Sequence, residues 1–105
     1  MIGIIDYNMG NLASVYNACK LIDADATIVK NPEDLKKFNR VILPGVGAYK
    51  DAMEHLIQTG MNEAVYEFAK TGKPMIGICL GMQLLFESSQ EFGHSDGLGL
   101  IDGHV

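Results

Sequence analysis

Apolar runs and amphipathic stretches alternate along the chain, and their spacing divides it into short elements. Met1 to Asp6 is apolar without a two-residue alternation, which predicts a strand covered on both faces, as in parallel sheets. Leu12, Val15, Tyr16, Cys19 and Ile22 recur at helical spacing, so a helix is expected from Asn11 to about Asp23, with Asn11 as its N-cap. Ala26 to Val29 reads as a second strand. Asn31-Pro32-Glu33-Asp34 carries a capping Asn, a Pro at the first helical position and acids in the first turn, and so predicts a helix start. Arg40 to Leu43 is a third strand and runs into Pro44-Gly45-Val46-Gly47-Ala48. A helix from about Tyr49 to Thr59 carries Met53, Leu56 and Ile57. Another follows Gly60 with Ala64, Val65, Phe68 and Ala69, and Gly72 stops it. From Lys73 to Phe86 an apolar run ends in Gly-x-Cys-x-Gly and passes into Met-Gln-Leu-Leu-Phe, the pattern of a strand, a sharp turn and a helix. Glu87 to Gly97 is polar and reads as a loop, and Leu98 to Ile101 as a last short strand before Asp-Gly-His-Val.

Strands alternating with helices imply an α/β fold, a doubly wound and mostly parallel sheet with helices on both faces and sites at the C-terminal edges of its strands. At 105 residues the chain holds one domain at most. A hydrophobic content of 48% and a mean hydropathy of +0.11 fit buried strands. Apolar stretches all fall short of the about 18 consecutive residues of a membrane span, and no signal-peptide pattern opens the chain, so a cytoplasmic protein off the membrane is expected. Cys19 and Cys79 lack a disulfide framework spacing and are expected to be reduced. A net charge of −5 without a Lys/Arg stripe argues against nucleic acid as a partner.

The chemistry concentrates at Gly77-Ile78-Cys79-Leu80-Gly81. A lone Cys in an apolar run is ordinarily a small core residue, and Cys19, on the apolar stripe of its helix, is read that way. Two glycines bracketing Cys79 change the reading, because glycine weakens a strand interior and gains its use where a turn brings strand and helix too close for side chains. The expectation is a nucleophile elbow with sulfur as the nucleophile, its thiolate favoured at the start of a helix. A thiolate attacking a carbonyl needs N–H donors for the oxygen that becomes charged. The N–H of Leu80 is the expected first donor, and Gly45-Val46-Gly47, at a neighbouring strand end, can present a second. A phosphate cradle or a plain strand-to-helix turn are the other readings of that glycine-rich segment, although a dinucleotide fingerprint's third glycine and a Gly-Lys-Ser/Thr are both missing.

The thiol also needs a base. His55 falls on a surface helix, His94 sits beside Ser95 and Asp96 in the polar loop, and His104 lies one residue from the last, where fraying is expected to spoil alignment. None makes a convincing partner. No pair of His or Cys has metal-ligand spacing, so neither metal nor other cofactor is expected.

Gly77-Ile78-Cys79-Leu80-Gly81-Met82-Gln83, with Pro44-Gly45-Val46-Gly47 and Asp6-Tyr7-x-x-Gly10-Asn11-Leu12 upstream, resembles the class I (triad) glutamine amidotransferases, whose fold is flavodoxin-like. More narrowly it resembles the glutaminases that serve imidazole glycerol phosphate synthesis in histidine biosynthesis. The resemblance implies that Cys79 attacks the amide of glutamine to give a thioester and ammonia, with Val46, Gly47 and Leu80 at the oxyanion hole and Gly45 and Gln83 at the substrate. It further implies a heterodimer with a synthase (cyclase) subunit of (β/α)8-barrel type, with Asn11 near the interface. The family's His and Glu belong to a later His-x-Glu segment, so residues 1–105 are expected to be the N-terminal part of one amidotransferase domain, inactive alone. An amidotransferase for sugar or surface-polysaccharide amination and a redox-sensing module built on Cys79 are the alternatives.

Overall fold

The computed structural model describes residues 1–91 and 93–105. In chain order it contains β1 (Ile2–Ile5), α1 (Leu12–Leu21), β2 (Ala26–Val29), a 3₁₀ helix (Pro32–Lys37), β3 (Arg40–Leu43), α2 (Tyr49–Thr59) and α3 (Met61–Lys70). The remainder is β4 (Met75–Gly77), α4 (Leu80–Leu84), β5 (Phe86–Ser89), β6 (Ser95–Asp96) and β7 (Ile101–His104). The first four strands form a parallel sheet in the order β2-β1-β3-β4, the doubly wound arrangement expected from the alternation of elements.

Successive strand residues point to opposite faces, so each apolar strand supplies two cores. Ile5, Val41 and Leu43 join the larger one, with Leu35, Leu56, Val65 and Phe68 from the 3₁₀ helix, α2 and α3. Ile4 and Ile42 join the smaller one, beneath α1 and its Cys19. Ile28, Ile4, Ile42 and Ile76 stand in one cross-strand row, because Ile4 is in register with both Ile28 and Ile42, and Ile42 with Ile76. One helix covers the middle of that row and leaves its ends open, Ile28 at 41% and Ile76 at 59% exposure.

Local chemistry sets the element ends. The Asn11 side chain caps α1 by accepting from the Ser14 N–H at 3.3 Å, which satisfies one of the first-turn donors. Gly60, at φ 77°, ends α2 and starts α3; the left-handed conformation there is the usual glycine stop.

Four expectations need correction. The Asn31-Pro32 start leads into a 3₁₀ rather than an α-helix; its six residues end at Lys37, and Phe38, whose ring is buried, follows in extended backbone and leaves no room for further turns. The polar stretch from Glu87 to Gly97 contains strand residues: β5 continues through Ser89 and pairs antiparallel with β6, while Phe92 lies outside the described residues. Ser88 and Ser89 are buried there because their hydroxyls have partners, His104 Nδ1 at 2.7 Å and the Glu91 N–H at 3.0 Å. The last strand begins at Ile101 instead of Leu98, whose side chain is buried in the large core. His104 therefore sits within β7, tied to Ser88, rather than in a frayed end.

Candidate active site at the strand ends

The chain turns in opposite directions from β1, to β2 on one side and β3 on the other, and the crevice outside the carboxyl ends of these strands is where doubly wound sheets place their sites. The loop after β1 and the turn after β3 meet there. A Cβ on Gly10 would lie 3.4 Å from the Gly45 nitrogen, so the two backbones are in contact. β4 delivers Cys79 to the same edge, next to β3.

Cys79 is exposed and occupies the turn between β4 and α4 with φ 54° and ψ −121°, a conformation that side-chain-bearing residues rarely adopt. The glycines around it are explained by packing. A Cβ on Gly77 would stand 2.6 Å from Met82 Cα, so the strand and the helix it feeds touch through backbone. A Cβ on Gly81 would collide with the Leu43 carbonyl oxygen, so α4 also rests directly on β3. Ile78 N–H donates to that same carbonyl at 3.0 Å. These contacts hold the elbow from two sides.

The N–H groups of Gly81, Met82 and Gln83 are committed to the Ile78 and Cys79 carbonyls. That of Leu80 donates to no acceptor among the described residues, which leaves it available beside the thiol. The helix behind it is only five residues long, since the chain re-enters a strand at Phe86, so its dipole is smaller than the sequence pattern suggested.

Of the site residues expected from sequence, Gly45 is pressed against the elbow, its absent Cβ lying 2.8 Å from the Gly81 nitrogen and 3.1 Å from Leu80 Cβ. Val46 and Gly47 follow on the exposed part of the same turn, Val46 at 52% exposure and Gly47 at φ 101°. Gln83 is half-buried one helical turn past Cys79. Asn11 is exposed beyond the end of β1, where its side chain is occupied as a helix cap. Sequence reasoning passed over Tyr7, whose buried hydroxyl donates to the Pro44 carbonyl at 2.7 Å. The only signal was its place in the quoted Asp6-Tyr7 motif.

The histidines are engaged elsewhere. His55 Nδ1 meets the Asp51 carbonyl at 2.8 Å, His94 lies between Gln90 at 3.2 Å and Asp96 at 2.9 Å, and His104 faces Ser88. Among the described residues no side-chain hydrogen bond reaches Cys79, and no group of three His, Cys, Asp or Glu side chains is arranged to hold a metal. A cleft of about 850 Å³ runs between the 3₁₀ helix and α3, lined by Pro32, Lys36, Tyr66 and Phe68 among others, and contains none of these site residues. Chemistry, not cavity size, therefore locates the candidate site.

The sequence matches the family Glutamine amidotransferase class-I over residues 3–94. The chain belongs to this family. Among curated relatives of this chain, the imidazole glycerol phosphate synthase subunit HisH of Wolinella succinogenes is 63% identical over 105 residues, and that of Sulfurimonas denitrificans 61%. Each alignment takes in 100% of this chain and 51% of the relative, so the chain spans about half the length of the curated relatives it matches. A solved structure titled as a glutamine amidotransferase superposes with a TM-score of 0.82 at 20% identity, over 98% of this chain and 54% of that one. A putative peptidase E from Listeria monocytogenes superposes at 0.72 with 15% identity, over 95% of this chain and 62% of that one. Both support the fold. No helix among the described residues is long and apolar enough to cross a membrane.

Proposed function

We propose that the chain is the N-terminal, nucleophile-bearing part of a single glutamine amidotransferase domain that releases ammonia from glutamine for imidazole glycerol phosphate synthesis in histidine biosynthesis. The observation that carries this reading is an exposed Cys79 held at φ 54° by glycine packing, in a chain of the amidotransferase family. The HisH names of the relatives favour this pathway over sugar or surface-polysaccharide amination.

Cys79 Sγ, as thiolate, attacks the side-chain amide carbon of glutamine. The carbonyl π pair moves onto oxygen, where the N–H of Leu80 and a backbone N–H of the Val46–Gly47 segment receive the charge. Gly45 and Gln83 hold the substrate. When the tetrahedral adduct collapses, the C–N bond breaks, the nitrogen takes a proton and leaves as ammonia, and a thioester remains. Water adds to that thioester, glutamate departs and the thiol is restored, so glutamine and water give glutamate and ammonia. The proton-moving His and its Glu come from sequence beyond these residues, and ammonia passes to a (β/α)8-barrel synthase subunit in a cytoplasmic heterodimer that meets this chain near Asn11.

The test is Cys79→Ala in the intact protein with its synthase. Glutamine-dependent synthesis should fall by a factor on the order of 10³ or more, since only amide cleavage uses the thiol, while synthesis from added ammonium continues. Retained glutamine hydrolysis in the variant defeats the reading. Residues 1–105 alone should not turn over glutamine, because among the described residues the histidines are hydrogen-bonded elsewhere and none bonds Cys79.

A further inference from the structure

Tyr7 lies fully buried just past β1, and packing of its ring accounts for its burial. Packing does not account for the hydroxyl, which is costly to bury unless it is bonded. Its bond goes to the Pro44 carbonyl at 2.7 Å, the backbone immediately before the Gly45-Val46-Gly47 segment. Gly45 is held between that hydroxyl and the elbow: a Cβ there would lie 2.7 Å from Tyr7 Oη on one side and 2.8 Å from the Gly81 nitrogen on the other. Val46 and Gly47 beyond it are exposed, and the nearest atom to a Cβ on Gly47 is the Met9 methyl at 3.3 Å. Their orientation is thus inherited from the Pro44–Gly45 peptide, and Tyr7 supplies the one side-chain hydrogen bond that fixes it among the described residues.

We propose that Tyr7 is a positioning residue for glutamine hydrolysis: its hydroxyl, bonded to the Pro44 carbonyl, sets the distance between the Val46–Gly47 N–H groups and the Leu80 N–H, and so whether both meet one oxygen. This rests on the reading of Cys79 as the nucleophile. Desolvation pushes the Tyr7 phenol well above its ordinary value, so it remains a donor through the neutral range.

Tyr7→Phe in the intact protein, assayed with its synthase subunit, deletes only the hydroxyl. The turnover number for glutamine should fall about 10- to 100-fold, as for a catalytic group misplaced by up to an ångström. KM should stay within about threefold, because the lost stabilisation belongs to the transition state. Alkylation of Cys79 by iodoacetamide should keep its wild-type rate, since attack at a methylene carbon builds no oxyanion. A crystal structure of the variant should show residues 44–47 displaced from the elbow. Unchanged turnover, an unmoved segment, or turnover and alkylation falling together, the mark of a general loss of fold, each overturns the proposal. An intact wild-type protein without glutaminase activity defeats the nucleophile reading first, a result seen before any substitution is made.

Discussion

The two turns that meet at the sheet edge are built on opposite principles. The elbow places its unfavourable φ on Cys79, a residue with a side chain, at a cost of about 1–3 kcal/mol. It is held there by backbone contacts on both sides, Gly77 against Met82 and Gly81 against the Leu43 carbonyl. The turn after β3 places its positive φ on Gly47, where the conformation is nearly free, and leaves Val46 and Gly47 in solvent beyond one anchoring hydroxyl. Strain is stored under the sulfur, and the other turn takes its positive φ at a glycine, where it costs little.

The contrast can be broken most severely at the elbow. Gly81→Ala should destabilise the fold by about 3 kcal/mol or more, because the new methyl meets a backbone carbonyl that cannot move without β3, and urea unfolding measures it. Gly47→Ala is the matched change in the other turn and should cost only about 1–2 kcal/mol, the left-handed penalty, since the Met9 methyl is free to yield. Equal losses at the two glycines would erase the distinction. Cys79→Gly sharpens it in the other direction: relief of strain, offset in part by glycine's chain entropy, should stabilise the fold by about 1 kcal/mol while removing the thiol. The smallest effect is a pH dependence. With its phenol raised by burial, Tyr7 contributes stability that is whole below the unfolded value of about 10 and is lost as pH rises above it. Tyr7→Phe should therefore flatten the loss of stability on the alkaline side, as read by thermal melts above and below that pH.

Much of this was legible because short apolar runs mark the strands and helical spacing of apolar residues marks the helices. Ala26–Val29, Arg40–Leu43 and Tyr49–Thr59 have in the structure the bounds their residues predict. The elbow was legible through its glycines, whose purpose is a distance between backbones. What stayed hidden depends on partners far away in sequence. Ser88 and Ser89 look like loop residues until His104 and the Glu91 N–H satisfy them, and only then is a strand of Phe-Glu-Ser-Ser affordable in the interior. Gly97 looks like a turn glycine, yet its missing Cβ leaves room for the Tyr49 hydroxyl and the Phe86 carbonyl. Beyond its place in the Asp6-Tyr7 motif, Tyr7 gave no hint of its bond to Pro44, because a hydrogen bond across 37 positions has no periodicity.

The contact of Gly81 with the Leu43 carbonyl also bears on when the thiol acquires its pose. Residues 43 and 81 come together only after β3 and β4 pair, and α2 and α3 lie between them in the chain. Pairing parallel strands that far apart in sequence is slow compared with forming either helix. Until it closes, nothing opposes relaxation of Cys79 to a negative φ, since a strained backbone persists only where its surroundings impose it. Until that pairing forms, the cysteine is therefore an ordinary thiol in a flexible peptide, and its strained pose arrives with the registration of β4 on β3.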